Sequence, residues 1–312
     1  MRRIRYTHLD VFSAQSFGGN QLVVCIDADS LDASEMQAIA REMNFSECTF
    51  ILAPDDPARA LCRVRIFTPG EEVPFAGHPT IGTTVALARA GRITPDHATA
   101  NLELGVGPLA VEAIYEGAEA RAAWMTQPLP TFAPWQGDQA ALLDALGLDE
   151  AALRPDLPIE RGSAGLPYVY IPLRDLAALA QARANLNLGA ALVKAQDGPP
   201  TGVYLFVCAP GDVFGAPIRA RMFAPDLGLT EDAATGSAAG PLGVYLARHG
   251  LITTEPDARV SGVVQQGVEM GRPSEIAVEL TLRDGQVSDV RVGGAAVAIA
   301  EGEFLLPDKE EL

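Results

Sequence analysis

The chain is a succession of short apolar runs separated by Gly, Pro and Asp. "RIRYTHLDVF", "NQLVVCID", "CTFILA", "RVRIFTP", "LAVEAIY", "LPYVYIPL", "TGVYLFVC", "IRARMFAP", "VVQQGVEM", "EIAVELTL" and "SDVRVGGAAVAIA" are rich in Val, Ile, Phe and Tyr and are predicted as strands. A helical period governs "LDASEMQAIAREM", where Met36, Ile39, Ala40 and Met43 share one face. Asp32 is placed there to cap the first turn, with Glu35 three residues on to complete a capping box. Two other segments, 79–90 and 237–248, are small or apolar on nearly every face and carry no charge before Arg89 and Arg248. Each is predicted as a helix buried on most sides. Short Ala/Leu helices are predicted around 138–146 and 174–183, and the many strands with few long helices predict an α+β, mostly antiparallel architecture.

The pattern also nearly repeats. "RIFTP" begins at Arg65 and "RMFAP" at Arg221, 156 positions apart, and each leads through an acidic stretch and a Gly-containing junction into one of the buried helices. Both helices close on Ala-Arg-x-Gly, with Gly91 and Gly250 as the residues just past the end. Matched order over this length predicts two similar domains, each wrapping strands around a central helix. The Pro-rich "PLPTFAPWQGD" after "AAWMTQ" places the crossing between them near residue 128.

Composition narrows the function classes. The 312 residues carry 40 acidic and 23 basic side chains, a net charge of −17, with no basic patch. Nucleic-acid and anionic-membrane partners are therefore not expected. No apolar h-region follows the basic N-terminus, and no run approaches the roughly 20 apolar residues of a membrane span, so a soluble cytoplasmic protein is expected. Cys25, Cys48, Cys62 and Cys208 stand singly in apolar runs and the four His are scattered, which predicts buried reduced thiols and no metal site.

Chemistry concentrates where the buried helices begin. A buried helix start leaves orphan N–H groups that need an acceptor, and an anion such as a substrate carboxylate supplies one. His78 in "FAGHPT" reads either as a cap-like residue ahead of Pro79 or as an imidazole tuned by the helix end. Asp232 and Ser237 in "EDAATGSA" read either as turn and helix caps or, by their placement equivalent to His78, as part of a site. Glu47 in "NFSECTFIL" is either the wet end of a strand or a desolvated carboxylate that takes and returns protons.

"DVFSAQSFGGNQLVV", "AREMNFSECTFIL", "RIFTPGEEVPFAGHPTIGT", "MFAPDLGLTEDAATGSAAGPLGVYL" and "QGVEMGRPSEIAVEL" resemble the phenazine-biosynthesis PhzF-like family, from Asp10 to about Val292. The resemblance implies a diaminopimelate-epimerase-like fold of two pseudo-symmetric domains, each a strongly curved, mostly antiparallel barrel-like sheet around a central helix. The first is expected over 1–128, joined by about 296–312, and the second over 129–295. It implies an active site between them, a homodimer, a small-molecule carboxylate substrate and neither metal nor organic cofactor.

On the family's motif Glu47 matches the acid/base. His78 and Asp232 match the polar residues that orient substrate, while Gly77, Gly236 and Ser237 match the donors that hold it. Ala233 stands where the family usually has Pro, and Cys48 where it has Thr. Epimerases of this fold use a thiol from each half, and Ala76 and Ala233 are expected at those places, so a two-thiol mechanism is not expected. The expected function is an isomerase acting on a dihydro-hydroxyanthranilate-like acid by Glu acid/base catalysis. An amino-acid epimerase or racemase and a non-catalytic small-molecule binding protein are the alternatives.

Overall fold

A computed structural model describes residues 1–185, 187–193, 202–208, 216–224, 229–252 and 255–308. Two compact units share the chain, one of Met1–Thr126 with Gly293–Leu312 and one of Gln127–Val292. The first contains β1 (Arg2–Val11), β2 (Asn20–Cys25), α1 (Ala33–Met43), β3 (Glu47–Leu52), β4 (Cys62–Phe67), β5 (Glu72–Val73), α2 (Gly77–Arg89), β6 (Thr99–Leu104), β7 (Gly107–Glu116) and β8, which runs Glu119–Gln127. The second contains β9 (Thr131–Pro134), α3 (Gln139–Ala145), β10 (Glu160–Ser163), β11 (Pro167–Pro172), α4 (Leu176–Gln181), α5 (Leu188–Val193), β12 (Gly202–Val207), β13 (Ile218–Ala224), β14 (Leu229–Asp232), α6 (Gly236–Arg248), β15 (Arg259–Gln266) and β16 (Ser274–Arg283). The last strand, β17, covers Gln286–Leu306.

In the first unit the strands close a barrel. β1 pairs antiparallel with β2, β2 parallel with β3, β3 antiparallel with β4, β4 parallel with β6, and β6, β7 and β8 follow antiparallel. β17 pairs with both β8 and β1 and completes the ring. The two parallel pairs require crossovers, and α1 and α2 supply them. α2 is the central helix, buried from Gly77 to Ala88. Its threonines are satisfied without water, since Thr80 and Thr84 Oγ1 donate to the Ala76 and Thr80 carbonyls at 2.8 Å and Thr83 shares a 2.9 Å bond with Thr49.

β2 and β3 are buried on both faces, which explains their unbroken apolar runs. Cys25, Cys48 and Phe50 pack outward with Met36, Ile39 and Ala40 of α1, whose capping box forms between Asp32 and Glu35 as the sequence predicts. The alternate residue Thr49 turns inward to α2.

The second unit repeats this plan. β9 and β10 pair antiparallel, then β10 with β11, followed by parallel β11–β12, antiparallel β12–β13, parallel β13–β15 and antiparallel β15–β16. α6 is its buried helix. Val169, Ile171, Val203 and Leu205 face an outer layer of α3, α4 and α5, while Tyr168 and Tyr170 hydrogen-bond to Ser237 Oγ and the Ala238 carbonyl of α6.

The duplication extends to single side chains. Arg65 pairs bidentately with Glu72 and lies 5.1 Å from the Phe67 ring; Arg221 pairs bidentately with Glu231 and lies 4.9 Å from the Phe223 ring. α2 and α6 both end in a Schellman turn. The N–H groups of Arg92 and Leu251 each donate at 2.9 Å to the carbonyls of Leu87 and Leu246, and Gly91 and Gly250 hold φ of 72° and 70°. In the "RMFAP" match Pro225 and the next three residues lie outside the described residues.

Several elements depart from the sequence reading. The central helices begin at Gly77 and Gly236, so His78 and Ser237 sit in the first turn and cap nothing. Pro79 is accordingly the third helical residue rather than the first. "VVQQGVEM" is a strand only to Gln266, because Gly267 turns to φ 73° and a 3-10 turn follows. The Pro-rich stretch near residue 128 contains β9, paired with β10. β10 and β14 have little apolar content and β5 is only two residues long, so their neighbours in the sheet rather than their own sequence make them strands.

Candidate functional site

In the first unit the starts of β2, β3 and α2 bring three polar side chains together. The parallel register pairs Leu22 with Glu47, so Asn20 and Glu47 leave their strands at the same end. His78, in the first turn of α2, lies between them. Asn20 Nδ2 is 3.2 Å from His78 Nδ1, and His78 Nε2 is 3.4 Å from Glu47 Oε2. Ser46 Oγ lies 3.3 Å from Asn20 Oδ1, so the Asn20 amide bridges Ser46 and the imidazole ring. The alternation that turns Cys48 out into the α1 core sends Glu47 to the α2 side, where its side chain keeps 14% exposure against 4% for His78.

Burial holds the His78 ring neutral. Desolvation lowers its pKa to about 3, opposed by a backbone hydrogen bond with Gln21. The contact with Glu47 is therefore one between a carboxyl group and a neutral imidazole, despite a separation that an ion pair would also satisfy. In the unfolded chain the ring titrates near 6.5. Between that value and about 3 the unfolded state binds the extra proton, so the stability His78 confers is full above about pH 6.5 and is lost as pH falls towards 3. His78→Gln is expected to flatten the dependence of unfolding free energy on pH in that window by a few kcal/mol. Denaturation profiles taken at intervals from pH 7 to 4 check this, and an unchanged slope would contradict a neutral buried ring.

In the second unit the corresponding helix start carries a different set. Asp232, at the end of β14, is 5% exposed and accepts from Thr235 Oγ1 at 2.7 Å. Ser237 Oγ shares a 2.8 Å bond with Tyr168 OH, and Gln127 Nε2 donates to the Gly236 carbonyl at 3.0 Å. The N-caps are Ala76 and Thr235, and neither side chain bonds to the helix start. By position in the helix Ala76 corresponds to Thr235, not to Ala233, so the expected pairing of Ala76 with Ala233 is shifted by two residues. Neither place holds a thiol. The sheet registers equally match Cys48 with Val203, each opposite the Phe of the repeated Arg-x-Phe, and so Glu47 with Gly202. No carboxylate stands in the second unit where Glu47 stands in the first.

Thus Glu47 and His78 share one constellation with Gly77 beside them, and Asp232, Gly236 and Ser237 share another. Sequence reasoning missed Asn20, Thr235, Tyr168, Tyr204 and Gln266, all engaged in these networks. Gln266 was signalled by its position, a polar residue on the face that carries buried Val264 two residues earlier. Among the described residues no group of three or more His, Cys, Asp or Glu is placed to hold a metal ion, and no helix is long and apolar enough to cross a membrane.

The family model described as phenazine biosynthesis-like protein matches residues 9–302. The chain is 40% identical over 301 residues to a trans-2,3-dihydro-3-hydroxyanthranilate isomerase of Pseudomonas chlororaphis, covering 96% of this chain and 99% of that protein. A PhzF-family phenazine biosynthesis protein from Bacillus anthracis has a similar crystal structure, with TM-score 0.84, 28% identity and coverage of 98% and 100%. A hydroxyproline epimerase from Agrobacterium vitis shares the fold at TM-score 0.66 and 13% identity, covering 99% of this chain and 94% of that one.

Proposed function

The chain belongs to the phenazine biosynthesis-like family, and from that premise we propose that this isomerase moves a proton between carbons of a small carboxylate-bearing substrate, with Glu47 as acid and base. The type of substrate is a dihydro-hydroxyanthranilate, the compound class named for the Pseudomonas chlororaphis relative. The observation that carries the reading is the Glu47–His78 arrangement, a mostly buried carboxyl group 3.4 Å from a buried imidazole that stays neutral.

Glu47 takes a proton from an acidified C–H, the bonding electrons move into the substrate's unsaturated system, and the carboxyl returns the proton to another carbon on the same face. Because His78 is neutral, it lies beside Glu47 without the full charge that would hold the carboxylate in its ionised form and blunt its return of the proton. The N–H groups at the start of α2, around Gly77, are assigned to the substrate carboxylate, since no cap side chain occupies them. Gly236 and Ser237 offer donors of the same kind, and Asp232 is assigned to the substrate amine or hydroxyl. Donors aimed at developing negative charge are commonly the largest catalytic contribution.

A two-thiol epimerase is the weaker reading, since Ala76 and Thr235 stand at the two helix starts. The test is conversion of trans-2,3-dihydro-3-hydroxyanthranilate in D₂O, with a panel of small amino and cyclic carboxylic acids alongside. One solvent deuteron at a new carbon in the rearranged product supports the isomerase. Exchange at the α-carbon with inversion would favour the epimerase, and thermal stabilisation without exchange would favour a binding protein.

A further inference from the structure

The turn that carries Asp232 is organised by one side chain of β15. Gln266 has no exposed surface, and its amide makes four hydrogen bonds. Oε1 accepts from the Thr235 N–H at 3.2 Å and from Tyr204 OH at 3.0 Å. Nε2 donates to the Asp232 carbonyl at 2.8 Å and to Thr235 Oγ1 at 2.9 Å. The amide has only one orientation that satisfies this set, because a backbone N–H only donates and a backbone carbonyl only accepts.

That orientation gives the network a direction. Thr235 Oγ1 accepts from Gln266, so its single proton points onward to Asp232 Oδ2 at 2.7 Å. Thr235 is also the N-cap residue of α6, a position where a hydroxyl ordinarily accepts an N–H of the first turn, yet it makes no such bond. Its hydroxyl is committed to the carboxylate instead.

We propose that Gln266 and Thr235 are positioning residues that hold Asp232 Oδ2 as a hydrogen-bond acceptor, which favours the ionised carboxylate and, when it is protonated, confines the proton to Oδ1. The importance of this for turnover rests on the reading of Asp232 as a substrate-binding group. Among the described residues the ionisable side chains beside the network include Tyr204 of β12, pushed well up by burial and then by the charge of Asp232, and Tyr168 of β11 beyond it. The Arg221–Glu231 pair of β13 and β14 is closed on itself, β15 presents the neutral Gln266, and α6 brings no charge before Arg248.

The experiment is a carbon-13 NMR titration of aspartate-labelled protein, with the Asp232 signal assigned by its loss in Asp232→Asn. It is run on the native protein, Thr235→Val, Thr235→Ser and Gln266→Leu, beside the pH profile of kcat/KM for the substrate converted. Removing a hydrogen bond to the charged form is expected to raise the Asp232 midpoint by about one to two pH units in Thr235→Val and Gln266→Leu. Thr235→Ser, which keeps the hydroxyl, is expected to restore it, and the acid limb of the profile should move in step. A packing role alone would lower stability without moving the midpoint. An unmoved midpoint in folded Thr235→Val overturns the proposal whether or not the protein turns over substrate. A moved midpoint with no turnover of any compound upholds it and counts against the isomerase reading instead.

Discussion

Glu47→Gln is expected to lower kcat by roughly three orders of magnitude, within the range that a positioned acid/base contributes. The substitution is nearly isosteric, and β3 keeps its apolar neighbours Cys48 and Phe50 in the core beside α1. The glutamine amide fills the same space beside His78, so the local geometry and the unfolding temperature should change little. What disappears is the basic oxygen that takes the proton and the acid that returns it. Deuterium incorporation should fall with turnover, because both pass through the same carboxyl group. Glu47→Asp, which withdraws the carboxylate by one methylene, should retain intermediate activity. A folded Glu47→Gln protein that turns over within tenfold of the native rate would remove Glu47 from the mechanism, whatever the family.

Arg221→Met is expected to cost about 3–5 kcal/mol of stability, by breaking a buried ion pair on one side only. The Arg221 side chain is 3% exposed and its partner Glu231 14%. Beyond the two bonds to Glu231, Nη1 donates to the Leu179 and Ala182 carbonyls at 2.9 and 2.8 Å, closing the C-terminal end of α4. Methionine fills much of the volume but leaves a carboxylate without its counter-charge and takes one donor from each of two carbonyls, which keep only Ala182 N–H and Arg183 Nη1. For a unit of this size the loss corresponds to a fall of roughly ten degrees in unfolding temperature. The duplicated pair supplies the control. Arg65 and Glu72 have the same bidentate geometry, but their side chains are 20% and 42% exposed, so Arg65→Met should cost about 1 kcal/mol or less. Calorimetry on the two variants checks this, and equal losses would mean that burial is not what separates the copies.

The repeat was legible because it lies in side chains that recur in order: Arg65-x-Phe67 and Arg221-x-Phe223, then the glutamates, then the small-residue helices. Strands buried on both faces, such as "NQLVVCID" and "LPYVYIPL", were legible for a related reason, since most positions between two helical layers take apolar side chains. Short strands such as β5 and β14 were not, because partners far along the chain supply their hydrogen bonds and local composition does not record them. The helix starts were misjudged by one or two residues for want of a side-chain cap: Ala76 carries no polar group and Thr235 turns its hydroxyl elsewhere.

The candidate site divides along the same line. Residue identity and spacing singled out Glu47, His78 and Asp232, since a carboxylate before an apolar strand and polar residues at the mouths of charge-free helices stand out along one dimension. That His78 is neutral, that Asn20 meets its ring and that Gln266 directs a proton onto Asp232 depend on burial and on partners brought from distant strands. Hydrophobic period and turn chemistry act between near neighbours and are written into the chain in order, so they specify the strands, the central helices and the duplication. Protonation states and hydrogen-bond direction are set by desolvation and by through-space partners, and these come into being only when the barrels close around their helices.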